Sequence, residues 1–419
     1  MSLWKKNKFF RWFFAFANYF IAAAFLYYEM AAQVSPSVMT DSLMRAFGIS
    51  AGGLGLLSSF YFYSYALMQV PAGLIYDRVG KRIVIPIAIS LCAMGIFAFG
   101  LTDTFTWACV GRFLMGIGSA FAFVGLVIVS ARWFPEKIFA FLVGFGQFIA
   151  AMGALGGSLP LSYSIEKIGW RLTMNMLGWV GVALFIVAIL LIRSKKLENK
   201  HKKPITVLTS LNEVIHSSQN WWVAIFTFCL WGPMAVFGAL WGVPFLMCLY
   251  KIPSTEAAAM VAFVWIGLGI AAPIFGVISE WTGRRNPYLW GGALLGIIAS
   301  IFALYIPVPR WLMYVSMLCL GVASASQVLA YAVSRDINKP IVRGTSVGFN
   351  NMACVIGGAI LQPIVGWVLS ASWSGKMDGD IPYYSLLEYQ RALSLIPVIY
   401  FVGLIAALFF IRETYCINE

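Results

Sequence analysis

The chain has 419 residues, of which 61% are hydrophobic and only 11% are charged. Soluble proteins average about 45–50% apolar and about 25% charged residues, so this much apolar surface exceeds what soluble cores can bury. The composition excludes a secreted disulfide scaffold, a disordered chain and a nucleic-acid-binding protein. It indicates an integral membrane protein, and the length accommodates twelve helical spans of roughly 20 apolar residues each.

The apolar stretches predict an all-α fold with two sets of six spans. The first six lie within residues 1–193, at 12–36, 53–75, 83–101, 106–130, 138–162 and 172–192. Residues 194–220 form a basic linker, and its second part is either an amphipathic helix on the membrane surface or a plain connection. The last six spans lie within residues 221–419, at 221–246, 257–279, 288–307, 311–333, 345–370 and 391–411.

The net charge of +13 is explained by topology rather than by a nucleic-acid partner. With the N-terminus in the cytoplasm, the cytoplasmic connections hold 21 Lys and Arg residues, and the opposite connections hold 7. Basic residues concentrate on the cytoplasmic side of membrane proteins. Both termini are therefore predicted to be cytoplasmic, and the first span is predicted to be an anchor rather than a cleaved signal peptide.

Cofactor and metal chemistry are not indicated. The seven cysteines are scattered singly, and the two histidines, His201 and His216, both fall in the linker. These spacings predict neither a metal site nor a disulfide framework, and a phosphate-binding G-x-x-x-x-G-K-[ST] motif is missing. We expect no catalytic residue, no cofactor and no bound metal.

An internal repeat divides the chain into two copies of a six-helix unit. After the second span come Gly73, Asp77, Arg78, Gly80, Lys81 and Arg82, and 203 residues later come Gly276, Glu280, Gly283, Arg284 and Arg285. The same separation relates Gly118 to Gly321 and Gln147 to Asn350. One register that persists over several helices and loops indicates duplication.

Two six-helix halves with G-x-x-x-D-R-x-G-K-R between the second and third spans resemble the major facilitator superfamily over essentially the whole chain. The segment from Arg112 to Ala120 matches the family's R-x-x-x-G-x-G pattern in the fourth span. The fifth span lacks the Gly-Pro pair of the antiporter motif. The stretch from Tyr27 to Asp77 is similar to bacterial members near the organic-anion and sugar-phosphate transporters. The resemblance implies two pseudo-symmetric bundles in a bacterial inner membrane, surrounded by lipid, and a monomeric transporter that works by alternating access.

The repeated loops are candidates for a cytoplasmic gate. Asp77 and Glu280 stand at helix ends, three to five residues before basic side chains, where an acid can accept hydrogen bonds from helix N-termini or from arginines. The alternative is that the loops only set topology and fold.

Charges within spans are expensive, which makes Glu29 and Arg112 the main candidates for function. Glu29 belongs to a polar stripe with Asn18 and Gln33 on the first span, and such a stripe should face a cavity. Burial disfavours the charged form of a carboxyl group, so Glu29 is a candidate proton carrier or solute ligand; the alternative is a static carboxylate, neutral or paired with Arg112. Arg112 either attracts an anionic solute, influences Glu29, or binds backbone carbonyls.

Other candidate cavity residues share faces of the predicted helices or occupy repeat-related positions. Amides at mid-span need partners that lipid does not offer, whereas single aromatic side chains more often pack. The further candidates are Tyr61, Tyr65, Gln147, Trp241, Gln327 and Asn350.

The sequence favours a proton-coupled importer of a small polar solute, anionic or zwitterionic because of Arg112. A drug or metabolite efflux pump that exchanges solute for protons is the alternative on the same fold. An embedded enzyme would need clustered histidines or paired acids within the spans, and a receptor with a transporter-like fold is disfavoured by the signature loops in both halves.

Overall fold

A computed structural model describes residues 8–135, 138–193, 207–340 and 342–415. The described chain is nearly all helical, and eleven of its helices are long and apolar enough to cross a membrane. A bent pair, Thr40–Phe47 and Ala51–Gln69, meets at 105° and brings the number of candidate spans to twelve. The predicted all-α membrane fold is confirmed.

The N-terminal half contains seven helices. They are α1 (Lys8–Val34), α2 (Thr40–Phe47), α3 (Ala51–Val79), α4 (Lys81–Leu101), α5 (Phe105–Trp133), α6 (Phe139–Ile168) and α7 (Trp170–Leu191), with a 3₁₀ turn at Ser35–Val38. The helix α8 (Val207–Ile215) lies in the predicted linker, and its Val214 packs against Ala224 and Phe349 of the second half.

The C-terminal half repeats this plan with more interruptions. Its helices are α9 (Ser218–Val236), α10 (Gly242–Tyr250), α11 (Ser254–Thr282), α12 (Asn286–Tyr305), α13 (Arg310–Ala325), α14 (Gln327–Asp336), α15 (Arg343–Ala371), α16 (Leu386–Leu393) and α17 (Leu395–Ile405). A π-helical turn, Phe237–Trp241, joins α9 to α10, and another, Ala406–Phe410, ends the last span. A hairpin of β1 (Met377–Asp378) and β2 (Ile381–Pro382) precedes α16.

Helix contacts repeat between the halves. Within the first half α3 packs on α5 and α1 on α6, and within the second half α11 packs on α13 and α9 on α15. The two halves meet where α3 packs on α15 and where α11 packs on α6, which are equivalent pairs under exchange of the halves. The architecture is thus two related bundles around a shared interface.

The repeat register is not constant, which corrects the expectation of a single separation of 203. Gly116 packs against the carbonyl of Tyr61, and Gly321 packs in the same way against that of Val264, so the fourth span of each half is matched at 205. One residue, Gly80, separates α3 from α4, whereas three residues separate α11 from α12. Loops of different length therefore shift the later helices.

The two ends of the interface differ. The side where α7 ends and α9 begins is called the linker side, and the other is the far side. On the far side an added Cβ at Gly55 or Gly366 would meet backbone of the other half, at Gln362 and Ala51 respectively. On the linker side a Cβ at Gly73, Gly276 or Gly344 would meet nothing within 4 Å. Among the described residues, the halves are therefore in close backbone contact at the far side, and these three glycines of the linker side make no such contact.

Gly321 tests the close packing of the second half. A Cβ at Gly321 would collide with the backbone of Val264, so Gly321→Ala should cost about 1–3 kcal/mol through overpacking. We expect a lower midpoint of thermal unfolding in detergent. Gly291→Ala is the matched control, because a Cβ at Gly291 meets nothing within 4 Å; equal unfolding midpoints would contradict the packing argument.

Candidate functional site

A cavity lies between the halves, near the middle of the spans. Five of the predicted site residues line it, namely Glu29, Gln33, Tyr65, Gln147 and Gln327, and they come from α1, α3, α6 and α14. The remaining lining residues are Leu26, Met30, Phe62, Phe123, Trp231, Tyr331, Asn351, Cys354 and Val355. The lining combines amides, phenols and aromatic rings, and Glu29 is its only acidic or basic residue among the described ones.

The cavity is built from equivalent positions of the two halves. Gly153 packs against Tyr27 of α1, and Gly357 packs against Gly232 and Phe228 of α9. The two packed helices, α6 and α15, begin at Phe139 and Arg343, which gives a separation of 204. At this separation the counterpart of Gln147 is Asn351. Both side chains line the cavity, one from each half.

Glu29 is fully buried, and one of its oxygens has no protein partner. The Tyr61 hydroxyl donates a hydrogen bond of 2.6 Å to Oε2, and Oε1 has no partner among the described residues. No described basic side chain lies within 4.0 Å of the carboxylate, so the expected alternative of an ion pair with Arg112 does not form. Glu29 is thus a cavity-lining residue with one carboxylate oxygen, Oε1, that has no partner among the described residues.

Arg112 is buried but does not line the cavity. Its guanidinium donates to the carbonyl oxygens of Ala32 (2.9 Å), Gln33 (3.3 Å) and Ser58 (3.3 Å). Ala32 and Gln33 are in the last turn of α1, where helix carbonyls lack partners within the helix. Of the interpretations that the sequence left open, the described geometry fits the binding of backbone carbonyls.

Arg112 nevertheless lies close to the Glu29 site. Its Cζ lies 4.8 Å from the centroid of the Tyr61 ring, whose hydroxyl binds Glu29. The three residues form a cluster that exists in one half only. The positions equivalent to Tyr61 and Arg112, at separations of 203 and 205, hold Val264 and Met317. The helix α9, which is the counterpart of α1, contains no acidic or basic residue.

Trp241 and Asn350 lie off the cavity, and Tyr61 reaches it only through Glu29. Trp241 is buried and donates through Nε1 to the carbonyl of Gln362 at 3.2 Å. Asn350 accepts a 2.7 Å hydrogen bond from Thr227 within the second half. Asn350 was expected opposite Gln147 because one register of 203 was applied throughout, whereas the separation of 204 between α6 and α15 moves that role to Asn351.

Asn351 joins the two halves. Its Nδ2 donates to Oε1 of Gln69 in α3 at 2.6 Å, and its Oδ1 accepts from the Tyr331 hydroxyl at 2.8 Å. The sequence contained a pattern of helical spacing that could have placed Asn351 on the cavity face of α15. Asn351, Cys354 and Val355 recur at three and four residues along α15, and all three line the cavity.

The first signature loop is described only in part. The side chains of Asp77 and Arg78 lie outside the described part of the chain, so the gate role of Asp77 stays a prediction. Gly80 has φ +84°, which favours glycine at the junction of α3 and α4. The buried Lys81 ammonium lies 4.8 Å from the centroid of the Trp133 ring, and Arg82 is exposed.

In the second signature loop, Asp336 and Glu413 contact Arg285, and Glu280 does not; the gate role of Glu280 stays a prediction. The Glu280 and Arg284 side chains are exposed, and Glu280 has no hydrogen bond or ion pair to a described side chain. The buried Arg285 pairs with Asp336 at 3.4 Å, and the Glu413 carboxylate accepts the backbone N–H groups of Arg285 and Asn286. Because Gly283 turns the chain with φ +64°, the start of α12 faces the C-terminal segment rather than Glu280.

Comparison with known proteins identifies the family. Residues 11–361 match the sequence profile of the Major Facilitator Superfamily. The chain is 22% identical to the probable galactarate/D-glucarate transporter of Escherichia coli over 91% of each chain. It is 23% identical to a lysosomal dipeptide transporter of Danio rerio, covering 80% of this chain and 76% of that protein.

The fold also matches a solved structure. A crystal structure of a bacterial homologue of the human lysosomal transporter Spinster, in an inward-facing and unoccupied conformation, superimposes with a TM-score of 0.76. It is 18% identical, and the match covers 96% of this chain and 98% of that one. The similarity shows the fold.

Arg112→Met tests whether this arginine serves the cavity or the backbone. Methionine occupies the equivalent position 317, so the volume is acceptable. The carbonyls of Gln33 and Ser58 lose the guanidinium donor, and that of Ala32 keeps the Ser35 hydroxyl. We expect a loss of about 1–3 kcal/mol for each buried group left without a partner, seen as a lower unfolding midpoint.

Arg310→Met is the control, since Arg310 forms an exposed pair with Glu256 and such pairs contribute about 0–1 kcal/mol. An Arg112→Met protein of wild-type stability that no longer binds solute would instead make Arg112 a solute ligand.

Proposed function

Since the chain belongs to the Major Facilitator Superfamily of multi-pass membrane transporters, we propose that it imports a small polar organic solute together with protons. The solute is anionic or zwitterionic, and it binds in the cavity between the halves. Alternating access, with the far side and the linker side opening in turn, exposes this cavity to one compartment at a time.

The unpartnered Oε1 of Glu29 is the observation that supports proton coupling. Tyr61 occupies Oε2, so a proton that neutralises the carboxylate resides on Oε1, the unpartnered oxygen of a residue that lines the cavity. An anion cannot settle beside a charged carboxylate in a site of low dielectric without a large electrostatic cost. Protonation removes that repulsion and adds a donor. Anion and proton therefore bind together, which is the linkage that a symporter needs.

The lining also supports the solute class. Amide groups of Gln33, Gln147, Gln327 and Asn351 supply neutral donors and acceptors, and Trp231 supplies an apolar face. Such groups suit a hydroxylated or peptide-like solute with at most one uncompensated charge. The related protein named for dipeptides is consistent with this chemistry, whereas the galactarate and D-glucarate of the other related protein carry two negative charges and exceed it. Arg112 no longer supports the anion preference, because its guanidinium is engaged by carbonyls.

An efflux pump that exchanges solute for protons remains the second candidate, and Glu29 is again the reason. A cationic solute would pair with the carboxylate and displace its proton, so the two would compete rather than bind together. The missing Gly-Pro pair in α6 weighs against this alternative. A solute screen separates them, because a symported solute stabilises the protein more at low pH and an antiported one stabilises it more at high pH.

The orientation and setting are also part of the proposal. The linker side, with both termini, faces the cytoplasm of a bacterial cell, and the protein acts as a monomer in the inner membrane. The bias of basic residues toward the connections of that side supports this orientation. Asp77, Lys81 and their neighbours then close the cytoplasmic end when the far side opens.

Glu29→Gln tests proton coupling. The amide oxygen can still accept the Tyr61 hydroxyl, so we expect the fold and the unfolding midpoint to be retained. The solute is first identified by thermal shift against organic acids, amino acids, dipeptides and sugar phosphates. In proteoliposomes, the variant should lose gradient-driven accumulation and the rise of uptake at low external pH, while solute counterflow continues.

Glu256→Gln is the control, because Glu256 forms a surface ion pair away from the cavity. Full proton-driven accumulation by Glu29→Gln would remove Glu29 from the coupling mechanism, and loss of counterflow as well would make it a solute ligand only.

Adjacent asparagines test the location of the solute site. Asn351→Ala removes an amide that lines the cavity, whereas Asn350→Ala removes one that binds Thr227 away from it. We expect at least a tenfold weaker solute affinity for the first variant and less than a threefold change for the second. Equal effects in a solute titration would contradict the assigned cavity.

A further inference from the structure

The closed far side contains an unusual arrangement at the start of α3. Ser50 is the N-cap residue, but its side chain accepts no hydrogen bond from its own helix. The backbone N–H of Ala51 instead donates to the Tyr384 hydroxyl at 3.1 Å, and the N–H of Gly52 donates to Ser370 Oγ at 2.9 Å. Both acceptors belong to the C-terminal half.

The first N–H groups of a helix have no partner within the helix, and a side-chain cap is worth about 0.5–2 kcal/mol. Tyr384 is buried, and the Ser370 hydroxyl that accepts from Gly52 also donates to Ser50 Oγ at 3.2 Å. The second half therefore provides the cap that the first half lacks. This cap exists only while the far side is closed.

Tyr384 is held in place by the segment between α15 and α16. The Glu388 carboxylate accepts the N–H groups of Ser374 and Ser385 at 2.7 and 2.5 Å, which fixes both ends of this segment. Its β1–β2 hairpin places Asp378 at 3.2 Å from Arg45 of α2. Both side chains of that ion pair are exposed, so it contributes little to the stability of the closed far side. The buried cap of α3 is therefore the stronger contact.

We propose that Tyr384 and Ser370 form a far-side latch, in which the second half caps the N-terminus of α3 and stabilises the far-side-closed conformation. Opening the far side separates the acceptors from Ala51 and Gly52, and water takes their place. The latch rests on the alternating access of the proposed function, but not on the identity of the solute or of the coupling ion.

Tyr384→Phe tests the latch because it removes only the acceptor. The Ala51 N–H then loses its partner in the closed state alone. One hydrogen bond contributes about 0.5–1.5 kcal/mol, so the ratio of far-side-open to closed protein should rise roughly two- to twelve-fold. Ser370→Ala should produce a similar rise, and the double variant should produce a larger one.

The ratio is read from distances between spin labels in solute-free protein in lipid nanodiscs. The labels replace Lys167 and Pro307, which are exposed at far-side ends of the two halves, in a background with the seven cysteines substituted. Tyr383→Phe is the matched control, because Tyr383 is largely exposed and its backbone hydrogen bond stays within its own half.

Gly55→Leu is the positive control. A side chain there meets the backbone of Gln362 and Pro363, so it should force the far side open. If Gly55→Leu shifts the distances but Tyr384→Phe and Ser370→Ala both match Tyr383→Phe, the latch is refuted. If Gly55→Leu also leaves the distances unchanged, alternating access itself, and with it the proposed function, is wrong. Should Tyr384→Phe not fold, the distances in Ser370→Ala alone decide whether the latch exists.

Discussion

The requirement that buried polar groups find partners within the protein governs this structure, because the hydrocarbon around it offers none. Arg112 satisfies it for the end of α1 by binding the carbonyls of Ala32 and Gln33. Tyr384 and Ser370 satisfy it for the start of α3. In both cases the partner comes from another helix or segment, so the backbone of one element depends on the position of the next.

Buried polar atoms that have no hydrogen-bond partner among the described residues are therefore informative. Glu29 Oε1 and Gln327 Oε1 have no protein partner among the described residues, although both side chains are nine-tenths or more buried and both line the cavity. Gln362 Oε1 is unpartnered too, but it lies among packed helices near the π-helical turn of the seventh span, and we have no physical account of it. Among the described residues, Glu29 and Gln327, one from each half, are the lining residues that carry such atoms, whereas others, such as Tyr28 and Asn175, lie outside the lining.

The sequence was sufficient for the fold and for part of the site. Hydrophobic runs predict helices whose lengths match a bilayer, and the repeated loop predicts two halves, because both signals are local. Glu29, Gln33, Tyr65, Gln147 and Gln327 were found because polar groups in apolar spans need a polar environment. The sequence could not predict exactly which residue of each helix faces the cavity. Differences in loop and helix length between the halves leave a shift of one residue at α6 and α15, so Asn350 was placed where Asn351 lies.

The sequence also could not predict hydrogen-bond partners that are distant from each other in the chain. Glu413 is distant from Arg285 in the chain and carries no motif, yet it caps α12 in place of Glu280. Arg112 illustrates the same limit. An arginine within a span needs hydrogen-bond acceptors, but the sequence does not say whether a solute or backbone carbonyls supply them. Only the three-dimensional arrangement of α1, α3 and α5 decides between these partners.

The arrangement also separates two tasks within one cavity. The Glu29–Tyr61–Arg112 cluster belongs entirely to the first half and has apolar counterparts in the second, so protonation of Glu29 changes no bond between the halves directly. The inter-half contact in the cavity is made by Asn351, which binds Gln69 across the interface at 2.6 Å. A ligand can shift a conformational equilibrium only by interacting differently with the two states. Under the proposed function, a solute that touches Gln147 and Asn351 does so because it contacts both halves, whereas a proton on Glu29 does so only by permitting that solute to bind. In that proposal the duplicated part of the cavity senses occupancy, and the part that is not duplicated sets the proton requirement.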